Sequence, residues 1–478
     1  MMDILQVIDG GVFEPCEISL RISDTDTRVY ACQSSFRLLP GRRLTALAIS
    51  EGKKYVIKIF PQRHRSLEEY ERELSGHELL HSVSIETAPM IYHGPAEENV
   101  NIIIYKYIDR ARTLLEVFDQ RPDSRQQVAR LDLFARLLSL MHDRHLIHED
   151  PHLGNFLLKG GVITVLDAGA VRRVGNATLT EKNYGLVVAQ FPVSWNIESR
   201  FYHAYRGPDN LIDYDEDRLH KQVQSHKKWR EKHYLKKIFR ECSAFHVHSS
   251  MFGKMIVDRD FMHTGLRELL DDPRHLFDGD QVEMLKEGKS STVGVVKLGD
   301  QRFVIKRYNV KSKMHQIKQM LKESRASRSW RNAHRMILRG FTTARPVAVL
   351  ECLKGRLKGV SVFVMQYVEG VNSANYFLDK KIDIDSKRAT AKKMLELIQE
   401  MHHERIIHGD LKSTNFIIGD KGIVIIDLDS MKVVGSQANI KAAISKEMKR
   451  FNKNWQENSE AQSIFDELIP SYTQENYR

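Results

Sequence analysis

Two long tracts of the chain carry the same succession of hydrophobic and polar positions. Each opens on strand-like alternation around a lysine, Tyr55-Val56-Ile57-Lys58-Ile59-Phe60 and Phe303-Val304-Ile305-Lys306-Arg307-Tyr308. A charged helical stretch follows, then a proline-centred segment, Thr87-Ala88-Pro89-Met90-Ile91-Tyr92 and Ala344-Arg345-Pro346-Val347-Ala348-Val349. A further apolar strand comes next, Ile102-Ile103-Ile104-Tyr105-Lys106-Tyr107 and Val362-Phe363-Val364-Met365-Gln366-Tyr367. Apolar residues at three-to-four spacing then predict a helix in each copy: Leu133, Phe134, Leu137, Leu138 and Met141, and Met394, Leu395, Leu397, Ile398 and Met401. The short runs Val162-Ile163-Thr164-Val165-Leu166 and Gly422-Ile423-Val424-Ile425-Ile426 predict buried strands. A succession repeated on this scale points to two copies of one structural unit.

Between the copies the pattern changes. Residues 205–220, with Gly207-Pro208-Asp209-Asn210 and an acidic patch, predict a loop. Residues 221–240 hold eight lysines and arginines against the single acid Glu231, with Trp229, Tyr234 and Phe239 interspersed, and predict a basic amphipathic helix. From Cys242 a hairpin is expected, with His246-Val247-His248 and Met255-Ile256-Val257 on either side of Gly253. The tail beyond Ser436 is polar and helical in pattern. The expected division is a first domain at 1–220, a basic helical linker at 221–240 and a second domain at 241–478.

Charge narrows the partners without choosing one. The net charge of +11 favours anionic ligands: nucleic acid, phosphorylated glycans or an acidic membrane face. The basic helix suits either docking on anionic inner-membrane lipid or a plain interdomain role. The four cysteines, Cys16, Cys32, Cys242 and Cys352, form no Cys-x-x-Cys pair. That argues against a disulfide framework or a thiolate zinc site, and for a reducing compartment. Met1 to Gly10 carries Asp3 and Asp9 and no lysine or arginine, unlike a secretory leader. No window reaches the ~18–20 apolar residues of a spanning helix. The expectation is a cytoplasmic protein, with peripheral membrane contact left open.

The chemistry lies in two loops. His148-Glu149-Asp150-Pro151-His152-Leu153-Gly154-Asn155 precedes Asp167, and His408-Gly409-Asp410-Leu411-Lys412-Ser413-Thr414-Asn415 precedes Asp427. In both, His to Asp is two positions, Asp to Asn five, and Asn to the next Asp twelve. Any one of these residues alone reads as a turn or cap residue. As a doubled set at constant spacing they read as the layout of a phosphotransferase of the protein-kinase fold. Asp150 and Asp410 would orient the acceptor hydroxyl and take its proton. Asn155 with Asp167, and Asn415 with Asp427, would offer hard oxygens to magnesium. Lys58 and Lys306, 92 and 104 positions before the two aspartates, would contact ATP phosphates. His148 and His408 read as structural, and His152 has no assigned role.

Several features depart from a protein kinase. No Gly-x-Gly-x-x-Gly precedes either lysine. The nearest stretches, Gly41-Arg42-Arg43-Leu44-Thr45-Ala46 and Lys289-Ser290-Ser291-Thr292-Val293-Gly294, serve either as reduced phosphate loops, with Gly41 and Gly294 approaching the nucleotide, or as simple hairpins. Asp167-Ala168-Gly169 and Asp427-Leu428-Asp429 stand where Asp-Phe-Gly is usual, and no Ala-Pro-Glu follows. For the acid that pairs with Lys58, Glu71, Glu73 and Glu78 compete, with Glu73 carried forward. Residues 306–339 hold eleven basic residues and one acid, Glu323, so either Glu323 pairs with Lys306 or the second copy holds its lysine differently.

Against that background the chain resembles the lipopolysaccharide core kinases, and in particular their tandem members with two kinase domains. The resemblance rests on Ser324, Arg325, Arg328, Ser329, Trp330, Arg331, Asn332 and His334, on Thr343, Arg345, Pro346 and Ala348, and on the His408 loop and Ile426-Asp427-Leu428-Asp429. In the first copy it rests on Leu39-Pro40-Gly41-Arg42-Arg43-Leu44 and His152-Leu153-Gly154-Asn155-Phe156-Leu157. It covers most of residues 35–175 and 241–435. It implies an α+β fold of two tandem protein-kinase-like domains, each a small antiparallel β-rich N-lobe with one helix and a shortened helical C-lobe. It implies ATP and Mg2+ as cofactors, a heptose or 3-deoxy-manno-octulosonic acid hydroxyl as acceptor, and a Gram-negative cytoplasm. A binding or scaffold protein with one or both copies inactive, and a bacterial protein kinase, are the alternatives.

Overall fold

In the strand Arg43–Ser50 every second side chain is buried, Leu44, Ala46, Ala48 and Ser50, and the alternation builds one face of a sheet. The computed structural model describes residues 4–21, 27–96, 99–207, 215–250, 253–270, 276–277, 282–309, 322–354, 357–420, 422–435 and 437–475. The fold is α+β and falls into two units, Met1–Phe191 with Trp195–Lys228, and Pro192–Ser194 with Trp229–Arg478.

The first unit holds an antiparallel sheet in the order Cys16–Arg21, Thr27–Leu39, Arg43–Ser50, Lys53–Pro61, Val100–Lys106, Met90–Ala96. One face packs Ile18, Leu44, Ile57 and Ile104 against Ile4, Val7 and Ile8 of the helix Ile4–Gly10. The other face, with Phe60, Ile103 and Tyr105, receives Tyr70 and Leu74 of the helix His64–Ser82. Lys58 pairs with Ile103 in the ladder. Two residues before Phe60, it therefore points to the helix side. A second core gathers Leu131, Phe134, Leu138, Phe156, Tyr184 and Phe201 from the helices Arg125–Asp143, Ala177–Val188 and Glu198–Arg206 and a short hairpin. Ser124 starts the first of these helices by accepting from Gln127 N–H.

The second unit has a seven-stranded antiparallel sheet, in the order Phe245–Ser250, Gly253–Asp258, Pro346–Lys354, Leu357–Gln366, Gln301–Tyr308, Ser291–Leu298, Val282–Glu287. The expected hairpin is its edge pair, with His246 opposite Val257 and His248 opposite Met255. The helix Arg325–Leu338, capped by Ser324, buries Trp330 and Met336 in a core with Phe363, Leu395, Phe416, Phe451 and Trp455. The helices Ile384–His403, Gln437–Lys453 and Ser459–Glu475 complete it, so the polar tail is helical as its pattern predicts.

The basic stretch forms part of one helix, Glu216–Lys237. Its single acid within the basic run, Glu231, faces inward to Arg335 and Arg339 at 2.9 and 2.7 Å. Lys228, Trp229, Lys232 and Lys236 are left exposed. The loop expected over residues 205–220 is corrected at its described ends, where 205–206 close the helix Glu198–Arg206 and 216–220 open the helix Glu216–Lys237, while positions 208–214 lie outside the described residues, as do 310–321 of the charged stretch after Lys306. Among the described residues no helix is long and apolar enough to cross a membrane.

Burial sets one titration that reports on folding. His142 is wholly buried, with Nδ1 2.7 Å from Tyr205 Oη and Nε2 3.1 Å from Asn183 Oδ1. Loss of hydration pushes its pKa down from 6.5 to about 4, against the hydrogen bond it donates to Asn183 Oδ1, which raises it. The unfolded chain takes up this proton near pH 6.5 and the folded one only near 4. The stabilisation is thus complete above pH 6.5 and lost as pH falls toward 4, by ~3 kcal/mol. Urea midpoints for wild type and His142→Gln between pH 7 and 4.5 should show a shallower decline in the variant, by about one proton. Parallel slopes would contradict a neutral His142.

Candidate active site

The constant spacings have a mechanical origin. Asn155 leads into a hairpin in which Phe156 pairs with Val165 and Lys159 with Val162, closed by Gly160 and Gly161, both at positive φ (56° and 82°). The hairpin returns the chain to its start, where Leu166 N–H donates to Asn155 O at 2.8 Å, and Asp167 follows directly. The second unit repeats this: Phe416 pairs with Ile425, and Ile426 N–H donates to Asn415 O at 3.0 Å. The twelve-residue interval from Asn to Asp is therefore the length of one hairpin.

The shorter intervals are hydrogen bonds within the loop. Asn155 and Asn415 each donate Nδ2 to the carbonyl of the preceding aspartate, Asp150 and Asp410, at 2.8 Å. With the amide nitrogen so engaged, each side chain keeps Oδ1 as its acceptor. The buried His148 and His408 donate Nε2 to Leu166 O and Ile426 O, both at 3.0 Å, and pin the loop to the hairpin. Asp167 and Asp427 sit in left-handed backbone conformations, φ 50° and 65°, followed by the 3-10 turns Ala168–Ala170 and Leu428–Ser430. Non-glycine residues hold such conformations only where the surroundings enforce them.

In the first unit one buried carboxylate organises the cleft. Glu73 accepts from Lys58 Nζ at 2.6 Å and Tyr105 Oη at 3.0 Å through Oε1, and from Gly169 N–H at 3.0 Å through Oε2. It links the strand of Lys58, the helix His64–Ser82 and the turn after Asp167, while Glu71 and Glu78 are exposed on the same helix. Lys58 also donates to Asp167 Oδ1 at 3.0 Å, and Arg43 Nη1 lies 3.8 Å from the same oxygen. Burial disfavours the charged form of Asp167, but Lys58 and Arg43 outweigh it and hold its pKa at about 2.

The second unit solves the same problem with the charges exchanged. Lys306 donates to Asp427 Oδ1 at 2.5 Å. Glu323 pairs with Arg331 at 2.9 Å and does not hold the lysine. At the helix position facing Lys306 stands Ser329, hydrogen-bonded to Tyr308 Oη at 2.8 Å. The linking acid is instead Asp429, two residues after Asp427, which accepts from Arg325 Nε at 2.9 Å at the start of the helix. Lys306 and Arg325 both lie over the Tyr308 ring, at 5.2 and 4.7 Å from its centroid. Burial, and then the nearby Asp429 charge, push the Tyr308 hydroxyl pKa well up, so it stays a neutral partner for Ser329.

The structure thus brings Lys58, Glu73, Asn155 and Asp167 together on one loop-and-strand framework, and Lys306, Asn415 and Asp427 on another. Asp150 and Asp410 lie on the same two loops. Gly41 occupies the turn between Thr27–Leu39 and Arg43–Ser50 at φ 67°, and its N–H donates to Ile8 O at 3.0 Å. Gly294 is a correction to the expected phosphate loop. It lies inside the strand Ser291–Leu298, opposite Met284 and Ile305, and not in the turn. A Cβ there would come within 2.5 Å of Val282 Cγ1, so close strand packing is what demands a glycine. Sequence reasoning did not single out Arg43, Tyr105, Tyr308, Arg325 or Asp429. The Asp-Leu-Asp spacing was the one visible signal for Asp429.

The two solutions differ in what a single truncation removes. Glu73→Ala strips three buried donors of their acceptor and should cost ~3 kcal/mol, with faster amide exchange along His64–Ser82. Ser329→Ala removes one neutral hydrogen bond and should cost ~1 kcal/mol, with exchange along Arg325–Leu338 little changed. Equal effects would contradict the exchange of roles between Glu73 and Asp429.

Comparison with known proteins agrees with this geometry. No curated protein matches the chain. Residues 280–451 match the protein kinase domain family. The second unit therefore carries a domain of protein-kinase-like type, the type that performs ATP-dependent phosphoryl transfer.

Proposed function

We propose that the chain is an ATP-dependent kinase built from two tandem kinase-like units, which transfers the γ-phosphoryl group to a sugar hydroxyl of the lipopolysaccharide inner core. The observation that carries the reading is the repeated convergence of ammonium, amide and carboxylate. Lys58 stands 3.0 Å from Asp167 and Lys306 2.5 Å from Asp427, each beside an asparagine fixed by its own loop.

The donor set fits a magnesium ion. One carboxylate and one amide oxygen per unit are hard ligands, and such a metal completes its shell with nucleotide phosphate and water. When bound, it neutralises charge on the phosphates. The chain's own part is to hold the phosphates through Lys58 or Lys306, and to place Asp150 or Asp410 at the acceptor hydroxyl, whose proton it takes. The acceptor class rests on the resemblance carried by Arg325, Trp330, Asn332 and the His408 loop, and on the net charge of +11, which favours an anionic glycan.

Mass spectrometry of core oligosaccharide from cells with and without the gene should show loss of phosphate. In vitro, Asp410→Ala and Asp150→Ala should each lower transfer from MgATP to that oligosaccharide by its own unit about a hundredfold or more. Full transfer by the double variant would overturn the reading.

A further inference from the structure

Around the two proposed catalytic aspartates the units carry different charge. Lys412 Nζ lies 2.9 Å from Asp410 Oδ2, and Arg450 Nη2 lies 2.7 Å from Oδ1. Arg450 Nη1 also donates to Gly409 O at 3.2 Å. Both cationic side chains are half exposed, at 50 and 51 %. Asp150 is exposed and has no ion pair among the described residues.

Corresponding positions are set by the framework. Asn454, just past the helix Gln437–Lys453, donates Nδ2 to Leu411 O at 2.9 Å. Gln190, just past the helix Ala177–Val188, donates Nε2 to Pro151 O at 2.5 Å. Leu411 and Pro151 each directly follow the aspartate. Counting back four residues from Asn454 gives Arg450, and from Gln190 gives Leu186. The station of Lys412 is taken by His152, whose Nδ1 accepts from Gly154 N–H at 3.1 Å and is tied to the loop. One unit thus presents two cations at its aspartate, and the other a leucine and a backbone-bound imidazole.

The Arg450–Asp410 contact is an ion pair without a hydrogen bond, and Asp410 Oδ1 has no hydrogen-bond partner among the described residues. For Asp410 to receive a hydroxyl proton, at least one of its oxygens must be released to the acceptor. Arg450, half exposed and weakly held, is free to swing from Asp410 to an anion carried by the acceptor. In the phosphotransfer reading the nucleotide and its metal would meet Lys306, Asn415 and Asp427, and Arg450 lies outside that set.

We infer that Arg450 seats an acidic group of the acceptor, a carboxylate or phosphate near the reacting hydroxyl, so that the second unit takes an anionic acceptor and the first an uncharged one. This rests on the phosphotransfer reading of both units. In the step itself the acceptor oxygen bonds to the γ-phosphorus as the bond to the β–γ bridging oxygen breaks. ADP departs, the hydroxyl proton passes to Asp410, and Arg450 moves from Asp410 to the acceptor's anion.

The test uses full-length Asp150→Asn protein, in which the second unit alone can act, with deacylated core oligosaccharide as the probe. Arg450→Leu should raise the KM for this acceptor at least tenfold and leave the KM for MgATP within twofold, and Arg450→Lys should recover part of the loss. Oligosaccharide freed of phosphate, or with its carboxylates reduced to alcohols, identifies the anion. Whichever treatment abolishes the sensitivity to Arg450 removes the group it reads. In Asp410→Asn protein neither treatment should change transfer. Calorimetric binding of the same oligosaccharide separates the two ideas. Binding that depends on Arg450 without transfer upholds the anion seat and sinks the kinase reading. Transfer with an acceptor KM indifferent to Arg450→Leu, in a variant with an unchanged melting temperature, sinks the anion seat alone.

Discussion

A buried lysine ammonium and a partly buried carboxylate face each other in each unit, and much of the surrounding architecture exists to keep them there. Burying either charge alone costs several kcal/mol, so neither tolerates loss of its partner. Lys58 and Lys306 are both 8 % exposed and come from the middle of a sheet, whereas Asp167 and Asp427 come from the end of a hairpin on a different element. Holding them in register requires the helix between strand and hairpin to be tied to both. Glu73 does this with one carboxylate and three donors. In the second unit a serine, a tyrosine ring and the Arg325–Asp429 pair divide the task.

The two arrangements show how much of a charged site can be exchanged while its geometry survives. The acid moves from the helix to the position two residues after the hairpin aspartate, and the base moves onto the helix. In the first unit Gly169 occupies that position and donates its amide to Glu73; in the second Asp429 fills it with a side chain. The net charge at the junction is the same in kind, so the ammonium keeps its carboxylate partner in both. What changes is the neighbourhood of the loop aspartate: Asp410 meets two cations, while Asp150 has no ion partner among the described residues and its neighbour Glu149 pairs with Arg172. The residues that tie lysine to carboxylate and those that surround the loop aspartate are different, so the second set can diverge without disturbing the first.

The loops that carry the aspartates are rigid for reasons of hydrogen bonding more than of packing. Each has its asparagine on the aspartate's carbonyl and its histidine on the hairpin's carbonyl. A further side chain from the following helix completes the frame. Asn183 donates to His148 O at 2.7 Å, while Glu447 accepts from Gly409 N–H at 2.6 Å and also meets His402 at 2.9 Å. Such satisfied polar networks specify one arrangement strongly, because any alternative strands a buried donor or acceptor.

Local pattern alone determined the strands bearing Lys58 and Lys306, the helices before each loop, and the Asn-to-Asp hairpins, because each is written in a contiguous period or a fixed interval. The two aspartates and the asparagine were legible for the same reason, as two short intervals of five and twelve residues shared by both copies, and the lysine from its strand pattern. The choice of Glu73 over Glu71 and Glu78 was not legible, since three acids on one helix differ only in which side meets the sheet. Nor was the displacement of Glu323 by Asp429, or the place of Gly294 inside a strand. Those outcomes hang on contacts between residues about 10 to 100 positions apart, such as Arg325 with Asp429 and Gly294 with Val282. A one-dimensional period carries no information about which distant partner will satisfy a buried charge. Only the folded packing, where the cost of an unpaired group is felt, decides it.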